Sequence, residues 1–181
     1  MNVAQDSPPL KRVDRGRLLV VEDSAEDAEA VERALSRSHP LLRLEFVTHG
    51  RGLVDRLLEA ADVPGIILLD LNMAGLSGHA VLGQIRARTE LDGVAVVVFT
   101  SSTAPAEVES CYDAGADSYI YKPLNFELFQ TVLKGAVDYW QQNRRQPSAA
   151  EEPGTSGVSG ASEVSRAAGA AEAGPAGPSV R

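Results

Sequence analysis

Ile66-Ile67-Leu68-Leu69-Asp70-Leu71-Asn72-Met73-Ala74-Gly75-Leu76-Ser77-Gly78 is an apolar run that ends at a carboxylate and continues as a glycine-bearing loop. Apolar residues in sequence without alternation predict a strand covered on both faces, as in parallel sheets. Asp70 then stands where that strand leaves the core. In open α/β sheets, ligands bind in the crevice beyond the carboxyl ends of the strands. The groups that converge on Asp70 therefore decide the chemistry.

Upstream, Arg17-Leu18-Leu19-Val20-Val21 is a short apolar strand that ends at Glu22-Asp23. Ser24 is placed to cap a helix with apolar positions Ala28, Val31 and Leu35, and Asp27 sits three residues after the cap, where a negative charge favours a helix N-terminus. That helix stops before Pro40. Leu42 to Val47 alternates like a half-exposed strand; Leu53, Val54, Leu57 and Leu58 form the stripe of a second helix, which Pro64-Gly65 breaks before the central strand begins.

Downstream, Ala80-Val81-Leu82 with Ile85 predicts a third helix, and Val94 to Phe99 is a continuous buried strand that ends in the hydroxyls Thr100 to Thr103. One of these hydroxyls is expected to cap a fourth helix, which has Pro105 in its first turn, buries Val108, Cys111 and Tyr112, and closes on Gly115. Ser118-Tyr119-Ile120-Tyr121 is a short last strand ending at Lys122-Pro123. The final helix carries Phe126, Phe129, Leu133, Ala136, Val137 and Trp140 at a period near 3.6 residues. Most of that stripe reads as core, with Trp140 at its far end available for a contact between subunits.

The totals agree with one soluble domain. The chain has 181 residues, 44% of them hydrophobic, and a net charge of −8, which disfavours a general attraction to nucleic acid or anionic lipid. Its single cysteine, Cys111, excludes an internal disulfide framework and reads as core. No signal-peptide segment and no membrane-length apolar run is present, so a cytoplasmic protein is expected. His39, His49 and His79 are not spaced as a metal or catalytic set and read as surface or loop residues. The expected organisation is a disordered leader over residues 1–16, a domain over 17–141, and a disordered Ala/Gly/Ser/Pro/Glu-rich tail over 142–181.

Alternating strands and helices, five of each, predict a parallel sheet with helices on both faces. Glu22, Asp23, Asp70, Thr100 and Lys122 all fall at the same end of a strand. Clustered carboxylates repel unless a hard cation bridges them, and such ligands with a backbone carbonyl and waters suit magnesium, or manganese. With charge so neutralised, Asp70 can attack a phosphoryl group while Thr100 and Lys122 bind its oxygens.

In order and spacing these elements resemble the receiver domain of the two-component response regulator family, from about Arg17 to Trp140. The resemblance rests on Glu22-Asp23, on Leu69 to Gly78, on Phe99-Thr100-Ser101-Ser102, on the Gly115-Ala116-Asp117 turn and on Tyr119 to Pro123. It implies a flavodoxin-like (βα)5 fold with strand order 2-1-3-4-5. It also implies Asp70 as phosphoacceptor, Glu22 and Asp23 as metal acids, and the Asn72 main-chain carbonyl as a further ligand. Lys122 and Thr100 become phosphoryl contacts, Tyr119 an aromatic switch, and Lys122-Pro123 a cis peptide. Glu22 stands where aspartate is commoner, and Ala74 replaces the usual loop proline, which should loosen the loop. The ending resembles the single-domain regulators that partner bacterial phytochromes and hybrid kinases.

The implied function is a stand-alone regulator phosphorylated by a sensor histidine kinase or phosphotransfer protein. It signals through protein contacts, with a homodimer expected through the fourth helix, fifth strand and fifth helix on the strength of Tyr119, Tyr121 and Trp140. An unphosphorylated pseudo-receiver acting as a binding module is the alternative. A haloacid-dehalogenase phosphatase is disfavoured because Asn72 stands where its second aspartate belongs, and a flavin carrier because the first loop is acidic rather than a phosphate cradle.

Overall fold

The apolar runs become the strands of one parallel sheet. The computed structural model describes residues 8–143; the predicted tail, apart from its first two residues, and the first seven residues of the leader lie outside the described residues. The elements are β1 (Arg12–Val21), α1 (Ala25–Ser38), β2 (Arg43–Val47), α2 (Leu53–Glu59), β3 (Asp62–Leu69), α3 (Gly78–Arg86), a 3-10 turn (Thr89–Leu91), β4 (Ala95–Thr100), α4 (Pro105–Asp113), β5 (Ser118–Tyr121) and α5 (Phe126–Gln142). The strand order is β2-β1-β3-β4-β5, every pair parallel, which is the flavodoxin-like order.

Period-two side-chain alternation sends each inner strand into two cores, which is why the sequence shows no polar alternation there. Leu19, Val21, Ile67, Leu69, Val96 and Val98 pack with α2, α3 and Cys111 of α4. Leu18, Val20, Ile66, Leu68, Val97 and Phe99 pack with α1 and α5 through Val31, Leu35, Phe129 and Leu133. Leu133 is fully buried, and burying such a side chain stabilises the fold by about 1.5–3 kcal/mol. Asn125 caps α5 by accepting from the Leu128 N–H, as Ser24 caps α1 through the Asp27 N–H.

Several expectations are corrected. The first strand begins at Arg12, so residues 12–16 belong to the sheet: Arg12, Val13 and Asp14 pair with Asp62, Val63 and Pro64 before the register shifts ahead of Leu18. Their polarity had masked them, because this end of the sheet is open to solvent. Pro64-Gly65 accordingly lies inside β3 rather than before it. A Cβ on Gly65 would meet the Arg15 Cα at 2.9 Å, so glycine is what lets β1 bulge against β3.

On α4 the N-cap is Ala104 and no hydroxyl caps it. Of its apolar residues Cys111 alone is buried; Val108 is half-buried and Tyr112 is exposed. His39 is a loop residue at the end of α1, yet it is not idle: its ring Nε2 lies 2.9 Å from Asp138 Oδ1 and joins α1 to α5. Trp140 is half-buried and donates to Ser118 Oγ at 3.0 Å, so Tyr139 is the exposed aromatic there. No helix among the described residues is long and apolar enough to cross a membrane.

Cys111 provides a check on the packing of α4. Burial, with the nearby charge of Glu107, pushes its thiol up to about 11. A thiol reagent at mildly alkaline pH is expected to label the protein only after denaturant is added; rapid labelling of the native chain would show that α4 opens.

Candidate functional site

Three backbone hydrogen bonds continue the ladders one step past the strands. The Glu22 N–H donates to the Val47 carbonyl at 2.9 Å, Asp70 to Val21 at 3.0 Å and Lys122 to Thr100 at 2.7 Å. The residues that follow β1, β3 and β5 are thus held as firmly as the strands. Among the described residues, Glu22, Asp70, Thr100 and Lys122 are the polar or charged side chains that are buried, and all four meet here. Charged groups are rarely buried without partners.

Lys122 Nζ is the hub. It lies 2.6 Å from Glu22 Oε2, 2.8 Å from Asp27 Oδ2 and 3.5 Å from Asp70 Oδ1. Burial works against its charge, but the hydrogen bonds it donates to Asp27 and Glu22 and the charges of Glu22 and Asp70 outweigh this, so the ammonium is held above its ordinary value. Burial likewise pushes the Glu22 carboxyl above the usual range, and Lys122 offsets only part of that rise. The other Glu22 oxygen accepts from the Ser24 N–H.

Asp70 Oδ1 is buried and has no hydrogen-bond partner among the described residues. Glu22, Asp23 and Asp70 each offer a carboxylate oxygen within 4.8 Å of the others. Three carboxylates, those of Glu22, Asp27 and Asp70, face one ammonium, and an orphaned oxygen beside a cluster of hard oxygen donors fits a divalent cation of the magnesium class.

The loop after Asp70 is tethered at both ends. The Ala74 N–H donates to Asp23 Oδ2 at 2.6 Å, a bond that proline could not make, so Ala74 ties the loop to the acid pair instead of loosening it. Asn72 Nδ2 donates to Thr100 Oγ1 at 3.2 Å, and the Ser102 N–H donates to the same oxygen at 3.3 Å. Both contacts use the hydroxyl as an acceptor, which leaves its proton available to a ligand.

At the loop's end a Cβ on Gly78 would sit 2.2 Å from the Asp70 carbonyl oxygen and 2.7 Å from the Leu71 Cα. Backbone cannot yield as a flexible side chain does. Gly78→Ala is expected to cost about 1–3 kcal/mol and to shift Asp70, visible as a lower urea midpoint with a weakened magnesium titration. An unchanged midpoint would mean that the loop relaxes freely.

Sequence reasoning named Glu22, Asp23, Asp70, Thr100 and Lys122, and the structure brings all five together. Tyr119 stands apart on β5: half-buried, with its hydroxyl 2.9 Å from the Ser102 carbonyl and 3.1 Å from Glu107 Oε1. Burial and Glu107 push it up to about 12. The expected cis bond at Lys122-Pro123 is absent: no peptide among the described residues is cis, and trans is the ordinary preference of an X–Pro bond.

Two contributions were missed. Asp27 was read only as a helix-start charge, yet an acid in the first turn of the helix leaving β1 faces the same crevice. Asn72 was assigned its carbonyl alone, while its side chain reaches Thr100.

Comparison with known proteins agrees with this geometry. The chain is 34% identical over 137 residues to the probable methanogenesis regulatory protein FilR2 of Methanothrix harundinacea, covering 74% of this chain and 88% of that one. It is 28% identical to the response regulator Rcp1 of Synechocystis, covering 73% of this chain and 93% of Rcp1. The Mn(2+)-bound structure of Rcp1 superposes with a TM-score of 0.62 at 26% identity, over 76% of this chain and 99% of that one. The phosphorylated cyanobacterial phytochrome response regulator RcpA superposes with a TM-score of 0.65 at 27% identity, over 76% of this chain and 98% of RcpA. Residues 18–134 match the response regulator receiver domain, and the chain belongs to that family.

Proposed function

We propose that this chain is a stand-alone regulator that accepts a phosphoryl group on Asp70 from a sensor histidine kinase and passes the signal through protein contacts. The observation that carries this is the buried Asp70 Oδ1, which accepts no hydrogen bond among the described residues and has Lys122 Nζ 3.5 Å away. An oxygen so placed is costly unless a ligand completes it.

In transfer, an Asp70 carboxylate oxygen attacks the phosphorus of a phosphohistidine. The O–P bond forms as the P–N bond breaks, and the electron pair leaves with the imidazole nitrogen, which is reprotonated from solvent. Charge builds on the equatorial oxygens of the phosphoryl group. Lys122 binds one of them and the free proton of Thr100 another. Magnesium or manganese, held by Glu22, Asp23, Asp70 and the Asn72 carbonyl, supplies neutralising charge when bound. Once Thr100 turns toward the phosphoryl group, the Ser102 backbone and the Tyr119 hydroxyl bonded to it shift together, which makes Tyr119 the switch. Such a switch moves populations only by the difference in these contacts between the two states.

The likeness to Rcp1 and RcpA supports a kinase of phytochrome or hybrid type as partner, and the absence of any long apolar helix among the described residues fits a cytoplasmic site of action. The face of α4, β5 and α5 exposes Tyr112, Tyr121 and Tyr139, which supports a homodimer through that face. Sedimentation with and without phosphorylation tests it: a monomer in both states removes the dimer.

The central test is phosphorylation by acetyl phosphate with magnesium. The wild-type chain is expected to take up one phosphoryl group and Asp70→Asn none. Labelling retained in the variant would move the acceptor elsewhere, and no labelling of the wild type, by acetyl phosphate or by a phosphorylated kinase, would leave a pseudo-receiver.

A further inference from the structure

We infer that Asp27 is a positioning residue that holds Lys122 back from the acceptor carboxylate until a phosphoryl group replaces it, a role that rests on Asp70 being the acceptor. An ammonium has three protons to donate. Those of Lys122 reach Glu22 Oε2 at 2.6 Å and Asp27 Oδ2 at 2.8 Å, whereas Asp70 Oδ1 lies at 3.5 Å and accepts no hydrogen bond among the described residues. The cation that the acceptor needs is thus engaged by two other carboxylates.

The two are not equivalent. Glu22 is buried, and its second oxygen is fixed by the Ser24 N–H. The Asp27 side chain is 43% exposed, so water can replace Lys122 at little cost and this contact is the one that exchanges. Its backbone is fixed nonetheless, because the Asp27 N–H donates to the capping Ser24 Oγ at 3.3 Å. Asp27 therefore presents a replaceable anion at a set distance from Nζ. A phosphoryl oxygen on Asp70, deeper and more highly charged, competes for the same proton.

Such a role has opposite effects on two ligands. Removing the Asp27 charge takes a negative charge from the cation site and weakens magnesium binding. It also releases Lys122 and tightens binding of a phosphoryl analogue. Damage to the fold would weaken both.

The test uses the full chain in two titrations, magnesium alone and then beryllium fluoride at saturating magnesium. Asp27→Asn is expected to weaken magnesium and to tighten beryllium fluoride, each by about two- to fivefold. Asp27→Glu keeps the charge and is expected to restore the magnesium affinity. In a Lys122→Met background the tightening by Asp27→Asn should vanish. Unchanged or weaker beryllium fluoride binding in Asp27→Asn overturns the assignment, as does tightening that persists without Lys122. A wild-type chain that binds no beryllium fluoride overturns the phosphoacceptor reading and this one with it, whereas wild-type binding without tightening overturns only the role of Asp27.

Discussion

Lys122→Met is expected to slow phosphoryl uptake from acetyl phosphate by about 100-fold or more, the loss typical of removing one preorganised donor to developing charge. Nζ lies within 4 Å of carboxylate oxygens of Glu22, Asp27 and Asp70, and methionine matches its apolar stem but donates nothing. Binding of magnesium should move the other way and tighten, because the competing ammonium is gone. Reduced labelling together with stronger metal binding separates this outcome from simple unfolding, which would lower both. Equal labelling rates in variant and wild type would remove Lys122 from the transfer step.

The same substitution carries a stability signature. Glu22 loses its partner while buried, and breaking a buried pair by removing one member costs about 3–5 kcal/mol. Burial already holds the Glu22 carboxyl above its ordinary value of 4.5, and without Lys122 it rises further. A group raised on folding favours the native state when protonated, and that stability is lost as pH rises through the folded value. The penalty for Lys122→Met should therefore be small in mild acid and grow toward neutrality, and magnesium should recover part of it. Urea midpoints across that range check the slope; a penalty independent of pH would mean that solvent reaches Glu22.

How much of this was legible in the chain follows from what each residue's neighbours are. The inner strands were readable because burial on both faces leaves an unbroken apolar run, as in Ile66 to Leu69 and Val96 to Phe99. The acids, Thr100 and Lys122 were readable because each ends such a run. Residues 12–16 were not, since charged Arg12, Asp14 and Arg15 interrupt any apolar run and the pairing that makes them a strand is with the backbone of Asp62 to Pro64. Asp27 was hidden by serving two purposes: its N–H completes the Ser24 cap while its carboxylate meets Lys122, and local pattern reports only the first. His39 with Asp138, separated by 99 residues, shows the same limit, because no periodicity relates the end of α1 to the end of α5.

Asp117→Ala is expected to be the most destabilising substitution outside the crevice, at about 3–5 kcal/mol by urea unfolding. Arg86, in the last turn of α3, donates Nε to the Gly115 carbonyl at 2.7 Å, Nη1 to the Val94 carbonyl at 3.1 Å and Nη2 to Asp117 Oδ2 at 2.6 Å. Asp117 Oδ2 also accepts from the Val96 N–H at 2.7 Å. One ion pair thus joins the end of α3, the start of β4 and the turn into β5, and Gly115 supplies that turn with φ of 91°, a conformation few other residues adopt. Its side chains are only 10% and 11% exposed, whereas Arg12 in the similarly short Arg12–Asp62 pair is 82% exposed. Solvent screens the second pair, so Asp62→Ala should change the midpoint little while Asp117→Ala lowers it steeply. Arg86→Met with Asp117→Leu should cost less than the two single changes summed, since both single changes remove the same ion pair. Equal penalties for Asp62→Ala and Asp117→Ala would show that burial at this junction does not set the strength of the pair. The steep loss expected here, far from Asp70, also fixes how a defect in phosphorylation must be judged. A loss of phosphate uptake is assigned to the crevice only when the urea midpoint shows that the variant is still folded under the labelling conditions.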